Sequence, residues 1–375
     1  RMAVEAGRGR TAVPVRSAIL GTALGVGALV MSLVFVTSLR RLIDTPRLYG
    51  FTWSVQLAGD AELPAALLKD PRVLEVKRGG ADNVEIAGER MLALTFEEGG
   101  LVEPVMVEGR APRGPGEIVL GRLTMQRAGA RIGSTIRVTQ AQNEGEDPNA
   151  TRPYADLTVV GRAVTPGFFF ERHEPGVGAA MTNEAADRIS PPRDDEFSYL
   201  VRFAPSVDAD TFLRGTGGNA FRDHVHFVVP QLDPAALGTL DRVSAVPVLL
   251  ATLIALMGAA TLVHSLVTSV RRRRRDLAIL KTLGFVRSQT RAAVAWQTTT
   301  IAVLALAIGV PLGIGAGRWG WRQFAEQLAV LPQPIVPLTT VLLLVPATFI
   351  VANAVAALPA RSAARTRPAL VLRSE

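Results

Sequence analysis

Five consecutive arginines, Arg271 to Arg275, lead into Asp276, Leu277, Ile279, Leu280 and Leu283, with Gly284 closing the run. An anion such as Asp276 suits the positive N-terminal end of a helix. The leucines and the isoleucine supply apolar knobs, and Gly284 fits the end of a regular turn. The chemistry this pattern offers is docking rather than catalysis, because an amphipathic element with exposed apolar knobs needs a groove to fill. The competing reading is an interfacial helix lying on lipid. Recognisable catalytic constellations are missing. No Gly-x4-Gly-Lys-Ser/Thr occurs, and none of Lys69, Lys77 and Lys281 follows a glycine, so the chain shows no phosphate cradle of its own. Neither His-Glu-x-x-His nor Gly-x-Ser-x-Gly is present. Cysteine is absent, which removes thiol chemistry and Cys-based zinc sites. His224 and His226 would share one face of a strand, but no acidic or histidine cluster accompanies them. They read as ordinary surface or core histidines. His264 stands in an apolar stretch, where titratable groups are rare, and reads as a neutral hydrogen-bonded side chain. Gln297 and Asn353 read as interhelical hydrogen-bond partners. No metal or cofactor is expected.

Positioning these residues falls to four long blocks almost free of charge: 17–39, 243–270 (only His264 titratable), 292–317 and 335–358. Each exceeds the roughly 20 residues that cross a hydrocarbon core of about 30 Å as a helix. A buried helix of a soluble domain rarely stays apolar on every face for so long. Hydrophobic residues make up 48% of the 375. The expectation is a four-helix membrane protein with one large polar insertion, which excludes collagen-like, disordered and small disulfide-rich classes. Small residues recur at helical spacing, Gly21 and Gly25 in the first block and Gly309, Gly313 and Gly317 in the third. This is the small-xxx-small pattern that permits close helix approach.

Charge sets the orientation. The net +8 conceals +3 in residues 1–16, +7 in 271–291 and +3 in 359–375, against −6 in 40–242 and +1 in 318–334. Short basic segments stay cytoplasmic. Both termini and the 271–291 segment are therefore expected inside, with 40–242 outside and 318–334 as an outer loop. The basic residues hug the ends of apolar helices, where topology and anionic membrane lipid explain them; nucleic acid is not an expected partner. Without disulfides, the outer segment needs its own core, and about 200 residues can supply one.

That segment reads as mixed α and β. Alternation and punctuation predict strands at 51–57, 72–76, 84–86, 91–96, 135–138, 157–160 and 198–201. Helices are expected at 62–69, 122–130, 183–189 and 207–213, and a polar surface loop at 140–154.

The stretch Arg271-Arg-Arg-Arg-Arg-Asp-Leu-Ala-Ile-Leu-Lys-Thr-Leu-Gly-Phe285, directly after the second block and continued by Arg287 and Gln289, resembles the signature of FtsX-like/MacB-type permeases of ATP-binding-cassette (ABC) systems. Asp276 replaces the more usual Glu, and Lys281 stands where Arg is common. The tail Leu358-Pro-Ala-Arg…Ala-Ala-Arg-Thr-Arg-Pro-Ala-Leu-Val-Leu-Arg373 is similar to the family's ending. The outer run Glu108-Gly-Arg-Ala-Pro-Arg-Gly-Pro-Gly-Glu-Ile-Val-Leu-Gly121 looks like its extracytoplasmic domain. The resemblance implies four transmembrane helices with an α+β extracytoplasmic domain between the first and second, in a bacterial plasma (inner) membrane. It implies a non-enzymatic permease whose ATP is bound by a separate cytoplasmic ABC ATPase subunit. Contact with that subunit would run through Asp276, Leu277, Ile279, Leu280, Leu283, Gly284 and Arg287. A second permease repeat or subunit is the further expected partner, with an extracytoplasmic adaptor or hydrolase outside. The start at Arg1 suggests the C-terminal repeat of a duplicated permease. Export or extraction of a lipophilic, peptide or lipoprotein substrate is the first expectation. The alternative is a mechanotransmitting or scaffolding subunit that regulates an extracytoplasmic hydrolase.

Overall fold

A computed structural model describes residues 15–59, 65–142, 151–165, 174–190, 197–208, 211–212, 225–230, 245–272 and 287–364. In chain order the elements are α1 (Val15–Asp44), β1 (Val55–Gly59), α2 (Ala65–Leu68), β2 (Val73–Ile86), β3 (Glu89–Phe96), β4 (Val105–Gly109), β5 (Glu117–Leu120), α3 (Arg122–Arg127), β6 (Thr135–Gln140), β7 (Tyr154–Val164), β8 (Ala179–Thr182), α4 (Asn183–Asp187), β9 (Phe197–Phe203), β10 (Val225–Pro230), α5 (Ala245–Arg272), α6 (Arg287–Gln327) and α7 (Leu338–Ala364). They fall into two compact units. One is helical and takes Arg1–Arg40, Asp241–Arg322 and Gln333–Glu375; the other is α+β and takes Arg41–Leu240 and Gln323–Pro332.

In the helical unit α1 lies between α5 and α6. Its contacts with α5 run in opposite senses, Gly21 facing Thr261 and Gly25 facing Ala255, so the two helices are antiparallel. Its contacts with α6 run in the same sense, Ala23 facing Gly309, Gly27 facing Gly313 and Val34 facing Gly317. α7 runs back along them, Ala352 clustering with Ala18 and Ile301, and Val341 with Val26, Val30 and Leu306. Large apolar side chains remain exposed on the outer faces, among them Leu249, Leu256, Leu312, Leu342 and Ile350. Such a surface suits a hydrocarbon surround, and helices satisfy their backbone polar groups internally. By length and composition the described residues Ala18–Asp44 and Ala295–Gln327 can each cross a bilayer, while Val246–Thr261 and Leu338–Ala354 are shorter apolar stretches.

One boundary differs from expectation. Residues 318–334 were expected as loop, yet α6 continues to Gln327. The cause is amphipathic periodicity: Gly317, Trp321 and Ala325 are buried at four-residue spacing, while Arg318 and Arg322 stay exposed. The charged residues that broke the apolar block are simply the outer face of the same helix.

The α+β unit is built on a closed ring of strands. β2 pairs β3, β3 pairs β8, β8 pairs β5, β5 pairs β7, β7 pairs β6, and β6 returns to β2 through Val84, Glu85 and Ile86. Alternation then sends every second residue inward. Val84 and Ile86, Met91 and Ala93, Ile118 and Leu120, Leu157 and Val159, and Ala179 and Met181 meet in one buried cluster. Closure leaves no free edge within the ring. A four-stranded layer, β10-β1-β9-β2, extends from it. Val55, Leu57, Val201 and Phe203 form the core of that layer, with Leu67 of α2 and Phe212 packed on them.

β2 belongs to both parts. The sequence suggested separate strands at 72–76 and 84–86; the structure joins them into fourteen residues. Residues Val73 to Arg78 pair with β9 and Gly79 to Ile86 with β3. Gly79 turns the corner at φ +154, where a Cβ would collide with the Thr95 carbonyl oxygen. The strand expected at 51–57 begins only at Val55. Gly50, left-handed at φ 104, ends a short 3-10 turn, and Tyr49, Phe51 and Trp53 then stack edge to face or tilted, with all three buried. Helices α3 and α4 are shorter than the expected 122–130 and 183–189, and of 207–213 only Thr211 and Phe212 are helical among the described residues. Strands β4, β5 and β8 were not anticipated.

Candidate functional site in the helical unit

The residues proposed for ATPase contact, Asp276, Leu277, Ile279, Leu280, Leu283 and Gly284, lie outside the described residues. Arg287 is the first residue of α6. The expected interaction element therefore lies between the described end of α5 at Arg272 and the start of α6.

The structure does bring the small residues together. A Cβ at Gly309 would stand 2.6 Å from the carbonyl oxygen of Ala23, and one at Gly313 would stand 2.6 Å from that of Gly27. At Gly317 it would meet Val34 at 2.9 Å. Real Cβ atoms do not sit so close to backbone, so α1 and α6 pack backbone to backbone along three turns. On the other face of α1, Gly25 would meet the Ala255 backbone at 3.1 Å and Gly21 the Thr261 side chain at 3.3 Å. Gly258 completes this contact, a Cβ there standing 2.6 Å from the Gly21 carbonyl oxygen. Sequence reasoning passed over Gly258, although it is the sole glycine of residues 243–270. It also passed over Ser38. That hydroxyl is buried, donates to the Val34 carbonyl at 2.7 Å and accepts from the Ile335 amide at 2.9 Å, tying the end of α1 to the segment before α7.

Chemistry-bearing groups stay scattered. Among the described residues no three His, Cys, Asp or Glu side chains gather as metal ligands would. His264 is exposed on α5. The Asn353 amide, expected to bridge helices, donates at 2.9 Å to Phe349 in its own helix; the carbonyl one turn back is the nearer partner. His224 lies outside the described residues, and His226 is on β10.

In the α+β unit several charged side chains are paired. Arg110 grips Glu117 with two bonds of 2.6 Å, which together with the Arg113 amide hold the Glu117 carboxyl below its ordinary range. Arg137 pairs with Asp156 at 3.0 Å, lowers that carboxyl's pKa, and lies over the Tyr154 ring. Arg127 bridges Glu89 and Glu174. Asp82 is shifted the other way: burial, and then the charge of Asp187, push its carboxyl up. Groups neutralised in pairs along strand edges are arranged to stabilise a surface rather than to move protons.

An apolar helical bundle with a folded α+β unit inserted after its first helix is an arrangement that suits a membrane protein carrying one large polar domain. Residues 248–365 match the family described as FtsX-like permease C-terminal. Permeases of this family are membrane components of ABC systems and work with a cytoplasmic ATPase. The chain is also similar to the solved periplasmic region of MacB from Actinobacillus actinomycetemcomitans, at 9% identity and a TM-score of 0.30, over 53% of this chain and 95% of that one. No curated protein matches it.

Proposed function

We propose that this chain is the membrane subunit, or one repeat of it, through which a separate ATPase moves an extracytoplasmic domain. ATP hydrolysis in that partner would displace the element at 276–290. The displacement would pass along α5 and α6 to α1. The observation that carries this reading is the grip on α1. Glycine contacts on both faces leave it no room to slide independently of α5 and α6, and the chain enters the α+β unit through the same helix.

Four crossings, with both termini inside, fit the alternating helix directions. Trp296 and Trp319 on α6 are 73% and 66% exposed. At about 1.5 Å rise per residue they stand roughly 34 Å apart along the axis. That spacing suits one aromatic anchor at each interface of a bilayer. The groove among these helices has a mostly apolar lining, which favours export or extraction of a lipophilic, peptide or lipoprotein substrate by domain movement over passage through a pore.

Replacing Leu280 and Leu283 together with Asp tests the contact. The ATPase should co-purify at least ten-fold less with the double variant, while membrane insertion is unchanged. Recovery of the ATPase at the wild-type level removes this element from the coupling route.

A further inference from the structure

A cavity of about 160 Å3 opens among α1, α5 and α7. Thr22, Gly25 and Leu29 line it from α1, Ala255 from α5, and Ala347 and Thr348 from α7. Its breadth comes from small residues: Gly25, Ala255 and Ala347 leave space that longer side chains would fill. Along α1, from Thr22 to Leu29, it runs for about 10 Å at 1.5 Å per residue. Val351 on its wall is 54% exposed, so the cavity is a groove open to the surroundings of the helices. Beside it Leu24, Leu256 and Ile350 are 68%, 63% and 70% exposed, and such a rim faces hydrocarbon in a membrane permease.

No charged side chain lines the groove. Water gains little there, since an apolar cavity of about 150 Å3 stays dry and takes a small hydrocarbon instead. The two hydroxyls in the wall differ. Thr348 donates to the Leu344 carbonyl at 2.7 Å and needs nothing more. The Thr22 oxygen, at the end nearer the start of α1, is buried without a hydrogen-bond partner. Neither hydroxyl is presented to the groove for a partner, so a matching occupant is a slender apolar chain.

We propose that this groove holds one acyl chain of a membrane lipid, whose hydrocarbon runs along α1 between Thr22 and Leu29. The proposal rests on the helices being embedded in lipid. A chain lodged there would fill the space into which α5 and α7 could otherwise close on α1.

Photolabelling tests it. The chain is placed in phosphatidylcholine vesicles doped with phosphatidylcholine that carries a diazirine on its acyl chain, irradiated and mapped by mass spectrometry. Residues 22–29 and 344–351 should be labelled at least five-fold more than the exposed surface around Leu312. Ala347→Trp, made at an exposed position on the wall, should abolish that excess and leave Leu312 labelling unchanged. Leu343→Trp, outside the groove, should keep the excess. Equal labelling of groove and Leu312 in the wild type overturns the proposal, and this comparison needs no variant to fold. An excess that survives Ala347→Trp overturns it as well. Because the chain has no cysteine, Ala347→Cys gives a clean check on a second occupant: a disulfide between copies would show that a neighbouring helix fills the groove instead. No label at Leu312 either would mean the helices are not in lipid, a failure of the membrane reading that is distinct from an empty groove.

Discussion

Two carboxyl groups of the α+β unit should titrate stability in opposite directions. Asp82 has its pKa raised by burial first and by Asp187 second, while Arg78 pairs with Asp187 at 3.6 Å. The folded protein thus holds the Asp82 proton more tightly than the unfolded chain does. This group favours folding fully only below the ordinary aspartate range near 3.9, and that support is lost as pH rises through the raised value. Asp82→Asn should raise the melting temperature at pH 7, by about 2–4 °C for each kcal/mol relieved, and much less at pH 4. Thermal unfolding at both values checks this; a lower melting temperature at pH 7 would show that the ionised carboxylate is needed. Glu117 is the reverse case. Its pKa is lowered by the hydrogen-bonded Arg110, so its support is present above the ordinary glutamate range and fades as pH falls through the lowered value. Glu117→Gln should therefore cost stability near neutrality and little in acid, on the modest scale of a surface pair.

At the scale of elements, the helices and the strand ring are held by different means. Helix packing depends on absent side chains. Gly309→Ala and Gly313→Ala each put a methyl against a carbonyl oxygen of α1, and overpacking of this kind costs about 1–3 kcal/mol. Gly315, two residues away on α6, has open space around its Cβ position. In a detergent-based unfolding measurement of all three variants, Gly315→Ala should be neutral or slightly stabilising, which separates packing from helix propensity. The ring depends on side chains that are present. Leu157 is fully buried at its centre, and Leu157→Ala should lose about 2–5 kcal/mol. Protease sensitivity should rise in residues 41–240 while the helices remain inserted. If both units loosened together, the division into two units would not describe how the protein unfolds.

For the whole molecule, the orientation prediction is direct, because any introduced cysteine is the only one. On intact cells a membrane-impermeant maleimide should label Asn83→Cys, which is exposed on β2, and should reach Arg273→Cys only after permeabilisation. The reverse pattern would invert the topology and end the ATPase assignment with it. Much of this plan was legible in one dimension. Uninterrupted apolar length marks a helix that can live in lipid, and clustered arginine marks its inner end; neither needs a neighbour to be known. Glycine spacing on α6 was legible for the same reason, since a four-residue repeat defines a face before its partner is named. The partner was not legible. That α1 takes α6 on one face and α5 on the other, with Gly258 completing the second contact, is a matter of how separate helices meet. Strand β8, Ala-Ala-Met-Thr, carries no strand alternation and exists because β3 and β5 flank it. The return of β6 to β2 unites residues more than fifty positions apart, and strand pairing of that kind is decided by which edges remain free once the chain has folded. Local hydropathy therefore determined which segments form long apolar helices and which belong to the α+β unit. Tertiary structure alone decided the ring, the corner at Gly79 and the groove beside Thr22, because each is made by backbones approaching from distant parts of the chain.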